Sequence, residues 1–328
     1  MRKKRVLVTI SFSFSIRYIV RTGLLEKMRL FCEPVILITW NQEDLIGELK
    51  HKGYEVHLLI PEQQTEQYLN IRRKIDYWFN HFRLKSPSQN IQKSFLSQYK
   101  KSVQNKISKL SEIITILKFY IPGYATFFFQ KESAAIQQEL GYKKACEWLL
   151  KMNLDAVFTV TPFHKQEDTL LRACKASGLK MVTSILSFDN ITKRGWIPVQ
   201  YDVYMVWNKY NKNELHRIYP FTKNKIIEVT GAAQFDFYWD KKYVLSLDNW
   251  KTKVGLQSIA NKKIILYAGG PRALFPNEPQ YLQHIDEAIE TGLIKNNPIV
   301  LFRCHPVDNI ERWKLAIGDS SNIYFDTS

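Results

Sequence analysis

The sequence predicts an α/β protein of two Rossmann-like domains, the first carrying a basic helical insertion and the second reading as truncated. Three observations predict it. Short β-branched runs alternate with amphipathic stretches from Val6 onward, the alternation breaks between about 63 and 130, and it starts afresh beyond Gly231. Parallel neighbours need a crossover, usually a helix, so this alternation argues for parallel sheets.

Taken in order, 6–10 is a β-branched strand and the periodic stretch 16–31 suits a helix. A second strand covers 35–40, a helix 42–50, and a third strand 56–60, ended by Pro61. Two long basic helices, 66–82 and 92–119, then interrupt the scheme, the second closed by Ile121, Pro122 and Gly123. A helix over 131–152, a strand at 156–161, a helix over 168–176 and strands at 180–186, 202–207 and 226–229 restore it. This places the first domain at 1–240, with Gly231 in VTGAAQFDFYWD at the hinge. The second, 241–328, opens with a linker helix at 246–254. Strands follow at 263–267, 298–303 and 323–325, with helices at 279–290 and 310–316. Such a domain ordinarily has five or six strands, so three leave half of it to come from further chain or from elsewhere.

Composition bounds the class. The chain has 328 residues, 45% hydrophobic and 13% aromatic, enough for buried cores. No apolar run approaches the roughly eighteen residues of a membrane span. The start, MRKKRVLVTISFSFSI, imitates a signal peptide but meets Arg17 and Arg21 and lacks a small-residue cleavage site. The four cysteines are far apart, so reduced thiols, a cytoplasmic chain and no metal are expected. The net charge of +16 is uneven: residues 71–120 hold eleven Lys or Arg against two acids. Such a segment attracts polyanions, and the aromatic stretch FYIPGYATFFF beside it suits either an anionic membrane surface or the core. No RNA-recognition signature accompanies it, so no nucleic acid is expected.

Strand ends carry the candidate chemistry, because ligands of open α/β sheets bind outside the carboxyl ends of the strands. In AGGPRALFPNEP, Gly269 and Gly270 let backbone amides approach a ligand ahead of a helix N-terminus, and Arg272 adds a cation for phosphate. In LFRCHPVDN, His305 follows an apolar strand and Arg303 precedes it; Arg303 serves either as a further cation or as the partner of an acid. In SILSFDNITKRGWIP, Ser187, Asp189 and Asn190 leave a strand end as short polar groups suited to hydroxyls or phosphate, or to an Asx turn holding its own backbone. Ser13, in SFSFSIRY, faces an acceptor or caps a helix; the glycines of a dinucleotide fingerprint are missing there.

In order, SFDNITKRG, DVYMVWNKYNKNEL, EVTGAAQFDFYWD, ILYAGGPR and LFRCHP resemble the capsule and teichoic-acid type glycosyltransferases of the GT-B fold, which are similar to the CDP-glycerol glycerophosphotransferases. The resemblance spans about 181–309. It implies metal-independent transfer of a sugar or polyol phosphate from a nucleotide-sugar or CDP-polyol donor, without a cofactor, to a cell-surface glycan or lipid-linked precursor. It implies catalytic roles for His305, at the donor phosphates or leaving group, and for Asp189. Gly269, Gly270, Arg272 and Arg303 would meet donor phosphate, and Asn190, Ser187 and Ser13 the acceptor. The enzyme would work in the cytoplasm, with peripheral attachment to the inner membrane face left open. A UDP-sugar 2-epimerase on the same fold is the alternative, and a non-catalytic basic module for membrane or RNA a third.

Overall fold

A computed structural model describes residues 2–85, 114, 117–240, 244–259 and 262–326. Most of the helix expected over 92–119 lies outside them. The chain divides into two compact units, Met1–Phe237 and Tyr238–Ser328.

The first unit is built on one seven-stranded sheet in the order β3-β2-β1-β4-β5-β6-β7. The strands are β1 Lys4–Ile10, β2 Cys32–Ile38, β3 Glu55–Leu58, β4 Ala156–Thr159, β5 Lys180–Ser184, β6 Val203–Val206 and β7 Ile226–Val229. Every pairing is parallel. Successive residues point to opposite faces, and both faces are covered. Leu7, Val35, Leu37 and Val157 enter one core, while Val8, Ile10, Ile36 and Phe158 enter another. Burial on both sides is why these strands read as near-continuous apolar runs.

Three expected helices are subdivided. The stretch 16–31 becomes helical Ser13–Ile16, a π turn Arg17–Arg21 and a helix Leu24–Phe31, separated at Gly23, whose φ of 74° only glycine adopts freely. The expected helix 131–152 is two, Tyr124–Ile136 and Leu140–Leu149. Between them Glu139 turns its buried carboxylate onto the Thr65 amide (2.8 Å) and hydroxyl (2.5 Å), at the start of helix Glu66–Trp78. That helix runs on as a π turn, Phe79–Leu84.

The charge of this insertion is partly internal. Arg72, counted above with the basic segment, is buried against Asp168, Glu132 and Tyr68, and Arg172 joins the cluster at 3.0 Å from Asp168 and 2.6 Å from Glu132. Both guanidinium groups also stack on Trp196. Desolvation alone would raise the Asp168 carboxyl, but the two arginines outweigh it and hold it low. The aromatic stretch divides as well: Phe119 and Phe128 are buried, whereas Tyr120, Ile121 and Phe127 are exposed. Among the described residues no helix is long and apolar enough to cross a membrane.

The second unit holds a parallel three-stranded sheet in the order β10-β9-β8, made of β8 Ile264–Ala268, β9 Ile299–Arg303 and β10 Ile323–Phe325. Val300 and Phe302 pack on Leu282 and Trp313 on one face; Ile299 and Leu301 meet Val254 and Leu256 on the other.

Candidate functional site

From β1 the sheet is extended by β2 and β3 on one side and by β4 to β7 on the other. The strand order therefore reverses between β1 and β4. At such a switch point the loops diverge and leave a crevice at the carboxyl ends. Here the loops after β1, β4 and β5 line a cavity of about 470 Å³. It brings together Ser13 and Arg17 from the first loop, Thr161 and His164 from the second, and Ser187, Asp189, Asn190 and Arg194 from the third. Gln234 also lines it.

The third loop is held by its own bonds. The Ser187 hydroxyl donates to Asp189 at 2.6 Å, the Asn190 amide donates to the Ser187 carbonyl, and the Thr192 hydroxyl donates to the Asp189 carbonyl. Asp189 thus stabilises its turn while presenting a carboxylate to the cavity, with Lys193 3.6 Å away. The expected Asx turn is not what holds this loop: the Asp189 side chain is bonded by the Ser187 hydroxyl and not by its own backbone.

His164 was not singled out in the sequence. It lies five residues past the end of β4, its ring parallel to Phe12 at 5.2 Å, with Nδ1 buried and unpartnered among the described residues. Burial and then the Arg194 charge push its pKa down, so the ring is neutral at pH 7. Under the same loop Glu167 is fully buried, accepting from the hydroxyls of Ser11 and, at 2.5 Å, Thr159. Burial outweighs the threonine hydroxyls around it, Thr159 foremost, and pushes its carboxyl up to about 7.

A second cavity in this unit, about 450 Å³, is walled by Trp78, Phe129, Trp196 and Tyr219. Its buried cation, Arg172, is already neutralised by Glu132 and Asp168.

In the second unit β8 and β9 are adjacent, with Ala268 opposite Arg303, so the Gly269–Gly270 turn and His305 leave neighbouring strand ends. The Gly269 amide donates to the Arg303 carbonyl at 2.9 Å. The Gly270 amide donates to the Glu278 carboxylate at 2.8 Å. A Cβ on Gly269 would press on Phe302 and Trp313 at 3.1 Å, and one on Gly270 would overlap the Phe275 ring. Packing therefore leaves little room for a side chain at Gly269 and none at Gly270 unless Phe275 moves. Arg303 takes the acid-partner role, bonding the buried Asp326 carboxylate at 2.6 Å, and Arg272 is exposed. His305 Nδ1 accepts from the Val307 amide at 3.2 Å. Nearby, burial would raise Asp308, but Arg312, the Trp313 indole and the Asn309 amide lower it to about 2.

No family model and no curated protein matches the sequence. Solved structures do match its fold. A Listeria monocytogenes protein assigned as a UDP-N-acetylglucosamine 2-epimerase aligns with a TM-score of 0.53 at 13% identity, over 100% of this chain and 70% of that one. The UDP-GlcNAc 2-epimerase of Neisseria meningitidis, solved bound to UDP-GlcNAc, aligns at 0.51 and 11% identity, over 99% and 72%. A glycosyltransferase from Rickettsia africae ESF-5 aligns at 0.50 and 14% identity, over 100% and 69%. The chain therefore has an α/β fold of the Rossmann-like, GT-B type.

Proposed function

We propose that the protein is a glycosyltransferase, taking a sugar from a nucleotide-activated donor to a hydroxyl of an acceptor held at the switch point of the large sheet. The observation that carries this reading is the convergence of Ser13, His164, Ser187, Asp189 and Asn190 on one cavity at the carboxyl ends of β1, β4 and β5. Short polar side chains there suit a polyhydroxylated ligand, and a neutral imidazole suits a general base. In the reaction the acceptor oxygen bonds to the anomeric carbon as the bond to the nucleoside diphosphate breaks. The diphosphate leaves with the electron pair, and His164 takes the hydroxyl proton. The neighbouring folds described as a glycosyltransferase and as bound to UDP-GlcNAc support a nucleotide-sugar donor. The motif series in 181–309 supports the capsule and teichoic-acid type, with a CDP-polyol as the other donor and a glycan or lipid-linked acceptor at the cell envelope. The loops after β8 and β9 are the proposed donor side; there His305 and Arg272 are the groups most open to phosphate.

An epimerase is the second reading, favoured by the two 2-epimerase structures whose folds align with this chain. One incubation separates the two. UDP-GlcNAc, other nucleotide-sugars and CDP-glycerol are each supplied to the full chain, and free nucleotide and the sugar's C2 configuration are both followed. Acceptor-dependent release of nucleotide supports transfer; conversion to the C2 epimer without an acceptor would replace transfer with epimerisation; neither product and no donor binding would sink both. His164→Ala is expected to lower turnover by about a hundredfold or more with little change in melting temperature. Unchanged turnover would remove it from the chemistry.

A further inference from the structure

The switch-point cavity carries a charge imbalance that hydroxyl recognition does not explain. Arg17 and Arg194 both line it, both are exposed, and neither forms an ion pair with a carboxylate among the described residues. The one acidic side chain in the lining, Asp189, is bonded by Ser187 and faces Lys193. His164 adds no negative charge, and the Glu167 carboxylate beneath is covered by Ser11 and Thr159. Among the described residues Arg17 is otherwise occupied only by lying over the Phe235 ring at 5.9 Å, a contact that leaves its N–H groups available. Two guanidinium forks, each able to bind an oxyanion through paired N–H donors, therefore open onto one cavity. They come from different loops, after β1 and after β5, so their convergence is a product of the strand order.

We infer that the ligand of this cavity carries an oxyanion beside its hydroxyls: a sugar or polyol bearing a phosphate or a carboxylate, bound by Arg17 and Arg194. The assignment rests on the transferase reading for calling that ligand the acceptor. The anion-binding itself does not. About 470 Å³ is in the range of sites for small molecules, and Asn190, Ser13 and Gln234 supply the neutral hydrogen-bonding groups that would distinguish a polyol from a bare anion.

The test is calorimetric titration of the full chain with glycerol 3-phosphate and glucuronate, with their uncharged counterparts glycerol and glucose, with inorganic phosphate and with UDP. One or both charged polyols should bind saturably where the neutral twins do not, and the tighter of the two names the anion. Arg17→Gln and Arg194→Gln should each weaken that binding about tenfold or more, with Lys at either position restoring part of it. UDP affinity should be unchanged. Inorganic phosphate binding as tightly as glycerol 3-phosphate, or arginine variants that bind as well as the parent, would overturn the inference. So would an equal loss of UDP affinity, which would make the anion the donor's own diphosphate. Failure to bind UDP with the charged polyol still held by the two arginines would leave the site standing and remove the transferase reading.

Discussion

Glu167 shows how one side chain ties the site to stability. Its carboxyl is fully buried among hydroxyls and pushed up to about 7, above its ordinary value of 4.5. A raised acid favours the folded state while protonated. Its contribution is complete below pH 4.5 and is lost as pH rises through 7, a difference of about 3 kcal/mol across that window. Glu167→Gln should remove this dependence. Urea unfolding of parent and variant at pH 5 and pH 8 measures it, and a parent whose change matches the variant's would refute it. This residue and His164 were not legible in the sequence, because a loop acid and a loop histidine carry no mark of depth. By contrast, Asp189 and Asn190 stood out as short polar groups leaving an apolar strand.

At the scale of elements, strand positions were largely readable and helix continuity was not. The run 226–229 is strand as expected, and 168–176 is helix. The break near Gln137 escaped because its cause lies 74 residues away: Glu139 leaves the helical line to bond Thr65. Thr65 in turn caps its own helix by accepting from the Tyr68 amide. Glu139→Ala would leave the Thr65 amide and hydroxyl without their acceptor and is expected to cost about 1–3 kcal/mol. Chemical denaturation checks this, with Thr65→Ala in the Glu139→Ala background expected to cost less than it does alone.

At the scale of the molecule, the segments brought to the cavity lie far apart in the chain. Ser13 and Ser187 meet because β4 and β5 follow β1 in the sheet, an order that periodicity does not encode. Net charge misled for a related reason. Arg72 counts as basic surface in composition, yet it joins helices Glu66–Trp78, Tyr124–Ile136 and Asp168–Ala176 from inside. Removing the charge of Asp168 would leave two buried guanidinium groups to share the Glu132 carboxylate, so Asp168→Asn is expected to destabilise the first unit by about 3–5 kcal/mol, read from its unfolding midpoint. The sheet order also dictates a sequence of events during synthesis. β1 can pair with β2 once both have left the ribosome, but its other edge waits for Ala156 to Phe158. For more than a hundred residues of translation the future centre of the sheet is an open edge of Val6, Leu7 and Val8. Such an edge is a template for wrong pairing, so the interval before β4 arrives is when this sheet is most exposed to misassembly.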